Sequence, residues 1–148
     1  MAPSHPILRH AKVVSLVDYN VTKQSRLQNK VVGKGKKGGI WLEPLSPLCD
    51  VTCTDGSKYR FYSCIRGHLL EVNENLVAKP DTLRAKAASD GYLAIINPKF
   101  NDIPTITEKL LSPEAFEQLR NLTLNTRSTS QTQAAAASAI SSADLAAK

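Results

Sequence analysis

Residues 48–65, LCDVTCTDGSKYRFYSCI, alternate apolar and polar side chains on either side of the turn formers Thr54-Asp55-Gly56-Ser57. Leu48 to Cys53 and Tyr59 to Ile65 are therefore expected to pair as the two arms of a β-hairpin. The alternation also constrains the register. A two-residue loop, Asp55-Gly56, would put Cys49, Val51 and Cys53 on one face with Lys58, Arg60 and Tyr62, burying two charges. A three-residue loop, Asp55-Gly56-Ser57, puts them instead beside Tyr59, Phe61 and Ser63, because a slip of one residue exchanges the two faces of a strand. The mainly apolar set is the expected inner face, and Lys58 then points away from the core near the hairpin tip.

Upstream, Val13, Val17, Tyr19 and Val21 fall on one parity and predict a half-buried strand over 13–21. The basic, glycine-rich VVGKGKKGG at 31–39 follows, then a short apolar strand from Ile40 to Leu42. Pro44 and Pro47 suit an edge or a connection and exclude a helix there. Downstream, Gly67 to Val72 and Tyr92 to Ile96 are further strands, each entered through a glycine. The connection between them has room for at most a short helical turn after Pro80, and Asp90-Gly91 marks a turn. Short strands punctuated by glycine favour a small sandwich or barrel over any βαβ arrangement.

Beyond Pro98 the chain changes type. Ser112 caps a helix whose first position is Pro113, and Leu111 with Phe116 forms a hydrophobic staple. That helix is expected over about 113–124, with Phe116 and Leu119 docking on the core. From Thr126 the chain is low in complexity, an Ala/Ser-rich tail with little to bury, and reads as disordered. The expected layout is one mainly β domain over 1–125 with a single C-terminal helix, followed by the tail over 126–148.

A length of 148 residues excludes a large multi-domain enzyme. Lys+Arg 19 against Asp+Glu 13 leaves +6, a balance suited to acidic partners. The surplus is localised: residues 1–100 hold 15 Lys/Arg and 8 Asp/Glu, residues 101–148 hold 4 and 5. Lys23, Arg26, Lys30, Lys34, Lys36 and Lys37 share a stretch with no acid between Asp18 and Glu43. No run approaches the roughly 18 to 20 apolar residues of a membrane helix, and MAPSHPILRHAK lacks the apolar core of a secretory signal. The expected compartment is the cytosol or nucleus, where Cys49, Cys53 and Cys64 would be free buried thiols.

Catalytic and metal chemistry find no footing. Cys49, Cys53, Cys64 and His68 are zinc-ligand types, but Cys49 and Cys53 would lie about 13 Å apart along one strand, too far to share an ion. Cys64 and His68 lack the surroundings that activate a thiol, and His5, His10 and His68 are expected at the surface or in turns. No Gly-x-Ser-x-Gly, P-loop or HExxH pattern is present, and Gly33-Lys34-Gly35 with Gly38-Gly39 has the wrong spacing for a phosphate cradle. A mobile solvated loop is expected there, and neither a catalytic residue, a metal nor a cofactor is expected anywhere. The candidate partner-binding residues are Arg26, Lys30, Lys34, Lys36 and Lys37, an electrostatic docking patch in which lysines act as point charges and Arg26 makes a forked contact to a carboxylate. The alternative for the same stretch is a solvated face.

Two resemblances add to this. Gly67, Glu71-Val72-Asn73-Glu74, Leu76, Pro80 and Gly91-Tyr92-Leu93, within Ser63 to Lys99, resemble the second half of the lipoyl-carrying glycine cleavage H protein. That resemblance implies a barrel-sandwich hybrid (lipoyl/biotinyl-like, single hybrid motif), two small packed β-sheets related by pseudo-symmetry. Its carrier lysine sits at the tip of the preceding hairpin, where this chain has Thr54-Asp55-Gly56-Ser57 with Lys58 after the turn. SHPIL at 4–8, SRLQNKVVGKGKKGG at 25–39, PLCDVTCTDGSKY at 47–59 and SCIRGHLLEVNENL at 63–76 are similar to the Abitram family, also called Simiate, actin-binding transcription modulators. This second resemblance implies a lipoyl-like fold without lipoylation, residence in nucleus and cytoplasm, actin as partner and a transcription-related nuclear role. The family pattern carries a further segment upstream of Ser4-His5-Pro6. The expected molecule is thus a non-enzymatic actin-binding protein regulating actin assembly through a basic surface, with no membrane partner. The alternatives are a lipoyl/biotinyl-type carrier domain modified at Lys58, and a nucleic-acid-binding module on the same basic stretch, which has few aromatics nearby for stacking.

Overall fold

The hairpin forms, and its loop sits one residue earlier than expected. A computed structural model describes residues 1–33 and 38–121. Its strands are β1 (Val14–Asp18), β2 (Trp41–Leu42), β3 (Pro47–Cys53), β4 (Lys58–Tyr62), β5 (Gly67–Val72) and β6 (Ala94–Asn97). β3 and β4 pair with Cys49 opposite Phe61 and Val51 opposite Tyr59. The loop is Thr54-Asp55-Gly56, closed by Cys53 N–H donating to Ser57 O at 2.9 Å. Gly56 lies at φ +80°, the left-handed position that three-residue hairpin loops assign to glycine. Asp55 Oδ1 accepts from Ser57 N–H at 3.0 Å, which fixes the turn locally. Moving a loop of constant length by one residue shifts the pairing by two, so the inner face survives: Cys49, Val51 and Cys53 are buried and Tyr59 and Phe61 pack beside them.

β1 departs from simple alternation. Val14 pairs with Cys53, but Leu16 pairs with Thr52 and Val17 with Val51, so one extra residue is accommodated between Val14 and Leu16. The bulge turns both Val14 and Val17 inward and leaves Val13 45% and Leu16 49% exposed. The expected parity therefore holds for Val17 and Tyr19 and fails at Val13.

The strands form two three-stranded antiparallel sheets, β1-β3-β4 and β2-β5-β6, and among the described residues they do not close into a barrel. Their inner faces share one core that includes Val17, Tyr19 and Val51 from the first side and Leu42, Leu69 and Val72 from the second. Several short helices accompany the sheets where a single C-terminal one was expected: α1 (Pro6–Arg9), α2 (Asn75–Ala78), α3 (Thr82–Ala85) and α4 (Ile103–Lys109). The β5–β6 connection makes two helical turns because each delivers one leucine to the core, Leu76 from α2 and Leu83 from α3. Pro80 separates them, since the residue before a proline is pushed out of the helical region. At the N-terminus Ile7 of α1 is buried, and the His5 ring lies 5.1 Å from the rings of both Tyr59 and Phe61.

Residues Met1–Thr107 form one compact unit, and Glu108–Lys148 a second. In the second, residues 113–121 are helical and Ser112 caps them, its Oγ accepting from Ala115 N–H at 3.2 Å. Leu119 is exposed and Phe116 half-buried. The expected helix end near 124, the boundary at 125 and the tail from 126 lie outside the described residues.

Acid should destabilise this arrangement. Hydrogen bonds from Arg60, Lys12 and Arg84 hold the carboxyls of Asp50, Asp55 and Asp81 respectively below the usual range. A carboxylate depressed in the folded state stabilises fully above its unfolded value of about 3.9, and that contribution is lost as pH falls through the lower folded value. The urea midpoint is therefore expected to stay flat from about pH 7 to 5 and to drop below about pH 4, and Asp55→Asn should make the drop shallower. A midpoint that stays level down to pH 2 would contradict these pairings.

Candidate functional site

The described ends of the basic segment are held together by one amide. Asn29 Nδ2 donates to Leu69 O at 2.9 Å and to Leu70 O at 3.1 Å, while its Oδ1 accepts from Ile40 N–H at 2.9 Å. These bonds satisfy three backbone groups of β5 and the approach to β2, so the two ends of the segment 30–39 meet beside the second sheet. Glycine is required at the re-entry. Gly38 takes φ +89°, and a Cβ at Gly39 would meet Leu69 O at 2.8 Å. Gly38 and Gly39 thus serve close backbone approach, whereas a Cβ at Gly33 would meet nothing within 4 Å. Lys34, Lys36 and Lys37 lie outside the described residues; Lys30 is exposed and makes no ion pair among the described residues.

Arg26 does not belong to the exposed patch. It begins a 3-10 turn, Arg26–Gln28, capped by Ser25 Oγ, which accepts from Leu27 N–H at 3.3 Å. Its side chain is buried, 6% exposed, and Nε donates to Pro47 O at 3.1 Å. Burial lowers its pKa, and its guanidinium ties the 26–28 turn to the start of β3. The Ser-x-Leu spacing at 25–27 was a visible hint that the basic stretch starts inside a structured turn.

A second group of cations gathers around Trp41, beside the loop base. Trp41 on β2 is paired with His68 on β5, and His68 with Asn97 on β6. The Trp41 and His68 rings meet edge to face, centroids 4.8 Å apart at 72°. Lys99 Nζ stands 5.0 Å from the Trp41 ring centroid. The indole N–H donates to Glu43 Oε1 at 2.8 Å, and Arg66 Nη2 reaches Glu43 Oε2 at 3.4 Å. The indole bond first, then Arg66, hold the Glu43 carboxyl below the usual range. His68 Nδ1 lies 3.2 Å from Gly39 O, which links this cluster to the end of the lysine loop. His68 is therefore half-buried on a strand, not in a turn, and an aromatic ring does stand near the basic stretch. Trp41 was visible two residues after Gly39; Arg66 and Lys99 reach it only through strand pairing.

The other candidates sit elsewhere. Lys58 is the exposed first residue of β4, opposite Thr52. The tip before it is tied down, with Lys12 Nζ 2.7 Å from Asp55 Oδ2 and 3.0 Å from Ser57 Oγ. All three cysteines are free; Cys49 and Cys53 are buried, and burial pushes the Cys49 thiol up to about 12. Cys64, expected to be buried, is exposed, because it follows β4 in a turn at φ +61°. Among the described residues no group of three or more His, Cys, Asp or Glu is placed to hold a metal ion, and no helix is long and apolar enough to cross a membrane.

No protein-family model matches the chain. Among curated proteins it is similar to Protein Abitram of Xenopus tropicalis, 45% identical over 120 residues covering 80% of this chain and 66% of the relative. Protein Abitram of Danio rerio is 45% identical over 120 residues, 80% of this chain and 68% of the relative. That of Dictyostelium discoideum is 36% identical over 122 residues, 82% and 67%. The chain thus spans just under two thirds of the Xenopus relative's length.

Proposed function

The chain belongs to the Abitram family, and from that premise we propose that it is a non-enzymatic actin-binding protein that regulates actin assembly, docking through a basic surface. The same reading takes the two sheets as a lipoyl-like hybrid scaffold, places the protein in nucleus and cytoplasm, and gives it a transcription-related nuclear role. One observation carries it: the acid-free lysine run between Asp18 and Glu43 is flanked by described residues, Asn29-Lys30 and Gly38-Gly39, that meet beside the second sheet, with Lys30 exposed. Lysines so placed raise the rate of encounter with an acidic protein face and set the orientation of docking. A swinging carrier arm would need a lysine at the hairpin tip, where this chain has Thr54-Asp55-Gly56 with Lys58 already on β4.

Reversing Lys34, Lys36 and Lys37 to Glu is the direct test. Like charges set against an acidic face should weaken co-sedimentation with actin filaments by about tenfold or more, and raised salt should weaken the wild type. Unchanged pelleting of a folded triple variant would sink the reading.

A further inference from the structure

Trp41 is the chain's one tryptophan. It is half-buried on β2, an edge strand of the second sheet. The two nearby cations are held by weak, solvent-facing contacts. Lys99 rests over the indole ring with its ammonium 5.0 Å from the centroid, and Arg66 touches Glu43 at a long 3.4 Å with both side chains about half exposed. A cation over an exposed ring is held less strongly than one hydrogen-bonded to a carboxylate. A carboxylate arriving from outside can therefore draw Lys99 off the ring and uncover an apolar surface at the same moment. Phe100, which follows Lys99 in the chain, is 85% exposed and adds apolar area next to the charge.

We propose that Trp41, His68, Lys99 and Arg66 form one docking surface with the base of the Lys30–Gly39 loop, and that its occupant is an acidic segment of a partner protein. Its carboxylates take Lys99 and Arg66, and an apolar side chain between them takes the uncovered face of Trp41. The inference rests on the docking role proposed above for the lysine loop and adds the anchor that loop lacks. Charge complementarity selects the occupant: Lys99 and Arg66 stand against a single acid, Glu43, whose carboxylate already accepts from Trp41 and Arg66, so the cluster keeps a net positive charge. Nucleic acid fits less well, since Trp41 is a single ring whose flank already meets His68, whereas single-strand binders stack successive bases on several aromatic side chains. Tryptophan and arginine at the centre of a ring of near-neutral contacts are also the residues that most often dominate protein interfaces.

The single tryptophan supplies the readout. The full chain is titrated, by intrinsic fluorescence, with a tryptophan-free peptide alternating Glu and Leu, with the same peptide carrying Gln for Glu, and with a single-stranded oligonucleotide. A saturable change with the Glu peptide alone is expected, weakened about tenfold by Lys99→Glu and reduced by salt. An equal response to the Gln peptide, or a stronger one to the oligonucleotide, overturns the proposal. Actin co-sedimentation separates it from the broader reading. Lys99→Glu, with Lys99→Ala and Trp41→Phe alongside and thermal melts to confirm folding, is expected to lose pelleting. If Lys99→Glu pellets normally while the loop reversal does not, the anchor is wrong and the lysine-loop reading stands. If the wild type binds the Glu peptide but never pellets, the face stands and actin is not its partner.

Discussion

Gly91→Ala is expected to destabilise the domain by about 3 kcal/mol, the upper end of what overpacking a well-filled interior costs. Gly91 is buried where the β5–β6 connection turns into the last strand, and its N–H donates to Lys86 O at 2.9 Å. A Cβ built there would lie 2.5 Å from Thr82 O and 2.7 Å from Lys86 O. Both are backbone atoms of α3 and its cap, so no side chain can rotate out of the way. Gly56→Ala is the control, because its Cβ would meet nothing within 4 Å and only the left-handed conformation at φ +80° is strained. That change should cost about 1 kcal/mol. Urea unfolding of the two variants separates lack of space from backbone strain. Equal midpoints for both would show that α3 does not approach Gly91 as closely as described.

Asn73→Ala should cost about as much, roughly 3 kcal/mol, for a different reason. Asn73 is buried, and its Nδ2 donates to Asp90 O at 2.7 Å and to Tyr92 O at 2.9 Å. Its backbone N–H donates to Leu93 O at 3.0 Å, and Tyr19 O–H donates to Leu93 O at 2.9 Å, with Asn73 O 3.3 Å away. This node ties β1 to both ends of the connection that carries Leu76 and Leu83. Truncation at Asn73 removes both bonds and leaves two part-buried carbonyls without their partner, a loss of about 1.5 kcal/mol for each bond. Tyr19→Phe removes a single hydroxyl and should cost about 1 kcal/mol. Because the two side chains share one network, the double variant is expected to lose less than the two losses added together. Additive losses in guanidinium unfolding would mean that the two sets of bonds act independently.

Much of the scaffold is legible in the chain because its signals are short-ranged. The hairpin arms, the limits of Gly67–Val72 and the Ser112 cap follow from alternation, glycine placement and capping, all of which act over a few residues. Where reading by alternation failed, a local exception intervened. The hairpin loop could be placed at 54–56 or 55–57 with the same inner face, and the positive φ of Gly56 chose between them. The bulge in β1 exchanged Val13 for Val14 on the inner side. The helical turn before Pro80, α2, was missed because a one-turn helix carries no periodicity; only the burial of Leu76 justifies it.

The docking surface divides along the same line. Alternation, turn residues and the acid-free run of lysines between Asp18 and Glu43 are properties of neighbours in the chain, and the sequence alone determined a mainly β domain with its positive charge concentrated in the first 100 residues. Which of those charges face a partner was decided by the tertiary structure. Arg26 turned inward to Pro47, and Arg66, just before β5, and Lys99, just after β6, were brought beside Trp41 because antiparallel pairing sets His68 opposite Asn97. The physical reason is reach: a side chain's preference for one face is local, whereas its neighbours across a sheet depend on register, on bulges and on bonds such as Asn29 to Leu69, formed between residues 40 positions apart.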